Sequence, residues 1–283
     1  MKVNPKEVSM GKLHNYILGS VGPRPIAFAS TVNSKGNKNL APFSFFNVFS
    51  ANPPIAIFSP AKSGRTNTQK DTYNNIKETM EVVINIVNFD IVQQMSLSST
   101  AYNSEIDEFE KSGLTPVESE LVKPFRVKES PVQIECKVRE VVELGDEGGS
   151  GNLIISEIVM MHINDAILDA EGTIDQTKID LVGRMGGNYY CRANGDALFE
   201  VPKPIRQQGM GIDQLPEKIK NSTILTGNDL GMLGNVEHPP SKDKVLAYTK
   251  TNKIPETWED KQKLAHDLLC AIKIDEAWKI LMS

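Results

Sequence analysis

Hydrophobic spacing divides the chain into a stretch with a period of two and a tail with a helical period. Ile26, Phe28, Ser30 and Val32 alternate with Ala27, Ala29 and Thr31, and the run closes on Asn33-Ser34-Lys35-Gly36. A polar turn with a glycine free to take a positive φ predicts one arm of a hairpin, with Leu40 to Ser50 as the returning arm. After a turn at Asn52-Pro53-Pro54, Ile55 to Phe58 is short and apolar enough for a buried strand, as is Val82 to Val87. Val132, Ile134, Cys136 and Val138 alternate with Gln133, Glu135, Lys137 and Arg139, which predicts a half-solvated antiparallel strand. The Gly-rich segment Gly145 to Gly151 then reads as a flexible turn into a second long strand, Leu153 to Ile163. With no regular strand–helix–strand alternation, a mainly β, antiparallel domain is expected.

Helices are predicted from Asp71, read as an N-cap, and from Asp90. Beyond about Pro204, Pro216, Pro239, Pro240 and Pro255 separate short helical segments. The last begins at Thr257, with Leu264, Leu268, Leu269 and Ile272 at helical spacing. The expected organisation is a β domain over 1–203 and a helical C-terminal extension over 204–283 packed on it.

Composition narrows the classes. In 283 residues, 31 basic and 36 acidic side chains give a net charge of −5, which disfavours a nucleic-acid binder. No apolar run approaches the length of a membrane span, and Asn4, Lys6 and Glu7 sit where a signal peptide needs apolar residues. A soluble cytoplasmic protein is the expectation. The three cysteines lie far apart without a C-x-x-C pair, and no two of the four histidines have metal-ligand spacing. No metal site is expected. Walker A, G-x-S-x-G and H-E-x-x-H patterns are missing, so no hydrolase or metalloenzyme reading has support.

What does carry a signal is a series of segments in fixed order. Arg24 to Val32, Asn39 to Asn47, Asn52-Pro53-Pro54, Lys70-Asp71-Thr72 and Asn75-Ile76 come first. Asp107-Glu108-Phe109, Gly113-Leu114-Thr115, Glu129-Ser130-Pro131, and Gly183-Arg184 with Gly186-Gly187 follow. Together they resemble the flavin reductase-like, FMN-binding split-barrel family. The resemblance implies a six-stranded Greek-key split β-barrel with peripheral helices, a homodimer, and noncovalent FMN near the subunit interface. It also implies NAD(P)H as reductant, with a partner oxygenase or another electron acceptor downstream.

The residues suit such a ligand. A flat ring held by close backbone amides needs small side chains beside it, and Ala29, Ser30 and Thr31 are small. Phe43, Phe45 and Phe46 can wall its apolar side, although small and aromatic residues are equally what a strand core contains. The loop Ser59 to Lys70 holds Lys62, Ser63, Arg65, Thr66 and Lys70 and ends where a helix begins. A phosphate is favoured there, and a solvated surface loop is the plain alternative. On the resemblance, the flavin-binding positions are Arg24, Ser30, Thr31, Val32, Phe45, Phe46, Asn47, Ser63, Arg65, Lys70, Thr72 and Asn75. His162 would face the flavin or the nicotinamide as the catalytic residue, unless it is a hydrogen-bonded core histidine. Gly186-Gly187 with Tyr189 and Tyr190 would close over the pocket. An electron-carrying flavoprotein, a non-enzymatic FMN module, and a protein acting on a pyridoxine phosphate remain alternatives.

Overall fold

Alternation in the first 163 residues becomes strands because each polar or small position can face away from one apolar layer. In the computed structural model, which describes residues 1–202 and 208–283, eight such segments lead the chain. They are β1 (Ala27–Val32), β2 (Lys38–Phe43), β3 (Phe46–Ala51), β4 (Pro54–Phe58), β5 (Glu81–Ile86), the two-residue β6 (Pro116–Val117) and β7 (Arg126–Val127), and β8 (Val132–Glu143). β9 (Asn152–Ile163) follows, then the short pair β10 (Val182–Arg184) and β11 (Tyr190–Arg192). Seven strands form one sheet in the order β2-β1-β5-β8-β9-β4-β3, every neighbouring pair antiparallel.

The expected count of six strands is corrected to seven in a sheet that does not close. The reason lies in the run from Leu40 to Ser50, expected as one arm. It breaks at Ser44-Phe45, so that β2 pairs with β1 while β3 crosses to pair with β4. The two edges of the sheet are therefore consecutive in sequence, joined by two residues. One apolar layer, centred on Ala27, Phe58, Ile84, Ile134 and Ile154, spans the sheet, and Phe43 and Phe46 pack on it from either side of the break. A second cluster, with Phe28, Leu40, Met95 and Phe109, fills the opposite face of β1 and β2.

Four helices accompany these strands. α1 (Met10–Ser20) starts from Ser9, whose hydroxyl accepts from the Lys12 amide, and was not legible in the sequence. α2 (Asp71–Thr79) begins one residue earlier than expected: Lys70 occupies the N-cap position, and Asp71 is the first helical residue. α3 (Val92–Leu97) follows a 3-10 turn at Phe89–Ile91, and α4 (Glu108–Ser112) is capped by Asp107.

The chain forms two compact units, Met1–Phe199 and Glu200–Ser283. The boundary expected between 203 and 204 lies outside the described residues. The second unit contains α5 (Glu217–Lys220), α6 (Gly227–Gly234), α7 (Lys242–Thr251), α8 (Trp258–Cys270) and α9 (Ile274–Leu281). Thr257 caps α8 by accepting from the Asp260 amide at 3.1 Å. The long terminal element stops at Cys270 because Ile272 adopts a left-handed φ of 59°, and a separate α9 begins after it. Its core is built on Trp278, Leu233, Leu269, Ile219 and Ala265.

Candidate functional site

The break between β2 and β3 opens a cavity of about 570 Å³ in the first unit. Asn39, Ala41 and Phe43, alternate residues on one face of β2, line it together with Ser44 and Phe45 of the break itself. Ser63, Arg65, Thr66, Thr68 and Lys70 line one end, with Asp71 and Thr72 of α2. Ser98 to Tyr102, Glu108 and Arg184 also line it, as do His14 and Leu18 of α1. The His14 ring lies 6.4 Å from that of Phe45.

Beneath the Asn39–Thr72 side lies a buried amide–hydroxyl network. The Asn39 amide donates to the hydroxyls of Thr72 at 2.9 Å and Thr31 at 3.1 Å, and the Asn75 amide donates to Thr31 at 3.1 Å. This network ties β1, β2 and the first turn of α2 together. No side chain caps α2. Its first turn thus presents N–H groups and the positive end of its dipole where Thr72 and Lys70 line the cavity.

The loop before α2 is held by the Gly-rich turn between β8 and β9, which is a brace rather than a flexible connector. The Lys62 amide donates to Ser150 at 2.9 Å, and the Gly149 amide donates to Lys62 at 3.0 Å. Asn152 donates its side-chain amide to Pro60 and to Gln69, each at 2.9 Å. Gly148 sits so near that a Cβ would stand 2.9 Å from the Ser63 carbonyl oxygen. Only a glycine lets the two backbones approach so closely.

Five of the expected flavin-binding residues line the cavity: Phe45, Ser63, Arg65, Lys70 and Thr72. The others do not. Ser30, Thr31 and Val32 are buried in β1, which pairs with β2 on one side and β5 on the other. Ala27 to Ser30 are paired on both sides, so these small residues serve close packing, whereas Thr31 and Val32 pair with β2 alone. Thr31 and Asn75 act one layer beneath the lining. Phe46 packs on the core, and the exposed Asn47 accepts from the Val48 amide. Arg24 is buried, its guanidinium donating to the carbonyls of Leu18, Val21 and Met185 and to Ser44. Burial, then the charge of Arg184, lowers its pKa. It anchors the end of α1.

His162 is likewise not among the lining residues. Its Nε2 lies 2.7 Å from an oxygen of Glu135. That carboxylate is 0% exposed and also accepts from the amides of Glu120 and Leu121, at 2.9 and 2.7 Å. These are the partners of a structural histidine. Burial raises the Glu135 pKa, but the amides of Glu120 and Leu121 and the His162 ring outweigh it and leave the group below its ordinary value. A carboxylate whose folded pKa is depressed contributes stability above its unfolded pKa, lost as pH falls through the folded one. Glu135→Gln should therefore cost on the order of 1.5–3 kcal/mol at neutral pH. That deficit should shrink as pH drops below the ordinary carboxylate range, measured by urea unfolding across the acid limb.

Sequence reasoning missed His14, Leu18 and the wall from Ser98 to Tyr102. Asn39, Ala41, Arg184 and Glu108 belonged to the quoted motifs but carried no assigned role. Glu108 is buried, which raises its pKa against the opposing hydrogen bond from the Leu40 amide. No periodicity marks these positions, because they come from five separate segments. Among the described residues no cluster of His, Cys, Asp and Glu could hold a metal ion, and no helix is long and apolar enough to cross a membrane.

Comparison with known proteins bears on the family and the fold. Residues 19–178 match the model of the flavin reductase like domain. An uncharacterized protein of Aquifex aeolicus is 38% identical over 196 residues, 69% of this chain and 97% of its own length. Among solved structures, nitrilotriacetate monooxygenase component B from Bacillus cereus superposes with a TM-score of 0.66 at 29% identity, over 71% of this chain and 98% of that one. The 2-nitrobenzoate 2-nitroreductase NbaA of Pseudomonas fluorescens does so at 0.64 and 28%, over 74% and 100%.

Proposed function

The chain belongs to the flavin reductase-like split-barrel family, and on that premise we propose that it is an FMN-dependent oxidoreductase taking hydride from NAD(P)H. The family implies a flavin. The observation that carries the FMN reading is the uncapped first turn of α2 beside Arg65 and Lys70, at one end of a cavity of about 570 Å³. A cavity of that size suits one mononucleotide.

The donor set fits. Arg65 and Lys70 with the free N–H groups of α2 form a phosphate cradle. Ser63, Thr66 and Thr68 add hydroxyls, and Phe43 and Phe45 offer apolar surface for a planar ring. Bound flavin supplies the hydride acceptor, so no protein nucleophile is needed. The protein's part is position and dryness. The Asn39–Thr31–Thr72–Asn75 network fixes β2 against α2, and the Gly148 contact fixes the loop that carries Arg65. Arg24 holds the end of α1, from which His14 and Leu18 reach the lining.

On this reading the chain works as a homodimer, for which the exposed Phe45, Val48 and Phe49 along and beside β3 provide apolar surface. By analogy with the Bacillus cereus component, reduced flavin serves a partner oxygenase. Purified protein should be yellow, and NADH or NADPH should bleach it anaerobically within seconds. Bound flavin that ignores both nucleotides would make the chain an electron carrier or an FMN-binding module. Colourless protein after incubation with FMN would end the proposal.

Arg65→Ala with Lys70→Ala tests the phosphate end. Both side chains are exposed, so solvent screens each contact to about 0.7 kcal/mol, and together they should raise the FMN Kd about tenfold. The deficit should narrow as salt is added. Titration by flavin fluorescence quenching reads both, and unchanged affinity would move the phosphate elsewhere.

A further inference from the structure

Outside the family-matched residues, the second unit holds an arrangement that the flavin chemistry does not use. Asp229 in α6 is 2% exposed. One of its carboxylate oxygens accepts from the Thr226 amide at 2.6 Å, the Thr226 hydroxyl at 2.7 Å and the Nδ1 of His266 at 2.9 Å. An ionised carboxylate accepts only, so the proton of a neutral His266 ring sits on Nδ1 and Nε2 is left as an acceptor. Burial pushes Asp229 up, yet the hydrogen bonds from Thr226 and His266 overcome it and leave its pKa below the ordinary value, consistent with the ionised form.

One helical turn on, the Cys270 thiol lies 3.7 Å from Nε2 of His266, within hydrogen-bonding range for sulfur. Cys270 is exposed, whereas Cys136 is buried and Cys191 half-buried. Carboxylate, base and sulfur are thus linked in series by these contacts, on a cysteine exposed to solvent. One feature opposes thiolate formation: Cys270 ends α8, where the helix dipole is negative. A protonated His266 ring is therefore needed to stabilise the anion.

We propose that Cys270 is a peroxide-reactive thiol, activated by His266 with Asp229 as the positioning residue. The thiol proton passes to Nε2 of His266. The thiolate attacks one oxygen of hydrogen peroxide, the S–O bond forms and the O–O bond breaks, and the departing hydroxide takes the proton from His266 and leaves as water. Sulfur is oxidised by two electrons to sulfenic acid, and peroxide is reduced to water. The substrate class is a small hydroperoxide reaching the surface from solvent.

The test treats the full chain with hydrogen peroxide and a dimedone probe, then quantifies each cysteine by peptide mass spectrometry. Cys191 and Cys136 are internal references. Cys270 should label about tenfold faster than Cys191, since an ordinary thiol is only a few per cent ionised at pH 7. His266→Gln, which keeps a polar side chain of similar reach without the base, should erase that advantage while circular dichroism is unchanged. Thiolate ultraviolet absorbance should fall equally in Cys270→Ser and His266→Gln. Equal labelling in wild type and His266→Gln would overturn the proposal and leave His266–Asp229 as a tie between α8 and α6. Should His266→Gln fail to fold, thiolate absorbance lost in Cys270→Ser supports the proposal, and none lost overturns it.

Discussion

Ala41→Trp is expected to yield a folded protein that no longer binds flavin. Ala41 shares a face of β2 with Asn39 and Phe43, and all three line the cavity. An indole carries roughly 150–250 Å² of surface, enough to take the place of a planar ring. The fold should tolerate it because Ala41 is half-buried on an edge strand and its side chain points into open volume. A penalty of about 1 kcal/mol would lower Tm by about 2–4 °C. Absorbance after equilibration with FMN gives the stoichiometry, and circular dichroism gives the melt. Stoichiometric flavin in a normally folded variant would place the ring away from β2.

Trp278→Ala should loosen the second unit by about 3–5 kcal/mol, the range for deleting a large buried aromatic side chain. Trp278 is 1% exposed and packs among Leu233, Leu269, Ile219 and Ala265. Its indole N–H donates to the Leu233 carbonyl at 3.2 Å, so truncation also strips a buried acceptor of its partner. That loss is a large part of the 5–15 kcal/mol a whole domain commands. Hydrogen exchange in α8 and α9 should accelerate by two orders of magnitude or more, since each 1.4 kcal/mol is about tenfold. Exchange within threefold of wild type would show that the unit is not organised around this side chain.

Alternating strands were readable from the chain alone. Val132 to Val138 alternate with charged and amide residues, and the structure carries that strand to Glu143, but its polar side is wet only from Lys137 on, because Gln133 and Glu135 are buried. The break at Ser44-Phe45 was not readable. Leu40 to Ser50 is almost continuously apolar or small, and nothing local says that its first half pairs with β1 and its second with β4. The same limit applies to the expected position of the ring. Ala29, Ser30 and Thr31 satisfy the size condition for a close ligand, but they satisfy it equally for a central strand packed on both faces. Only the pairing of β1 bears on the choice: Ala29 and Ser30 lie between β2 and β5, while Thr31 pairs with β2 alone. His162 has a similar history: its strand position was visible, whereas its partner Glu135 depended on the register of β8 against β9.

By itself the order of short motifs pointed to the family, and residue type and spacing marked most of the antiparallel strands, the cation-bearing loop ahead of α2 and the helical character of the tail. Those are properties of residue type and near spacing, where backbone dihedrals, capping and side-chain period act over a few residues. Tertiary structure alone decided where the cavity lies, which donors stay free to face it, and that Asp229 meets the His266 ring beside Cys270. Each of these depends on groups far apart in sequence satisfying or failing to satisfy one another's hydrogen bonds, which no local pattern records.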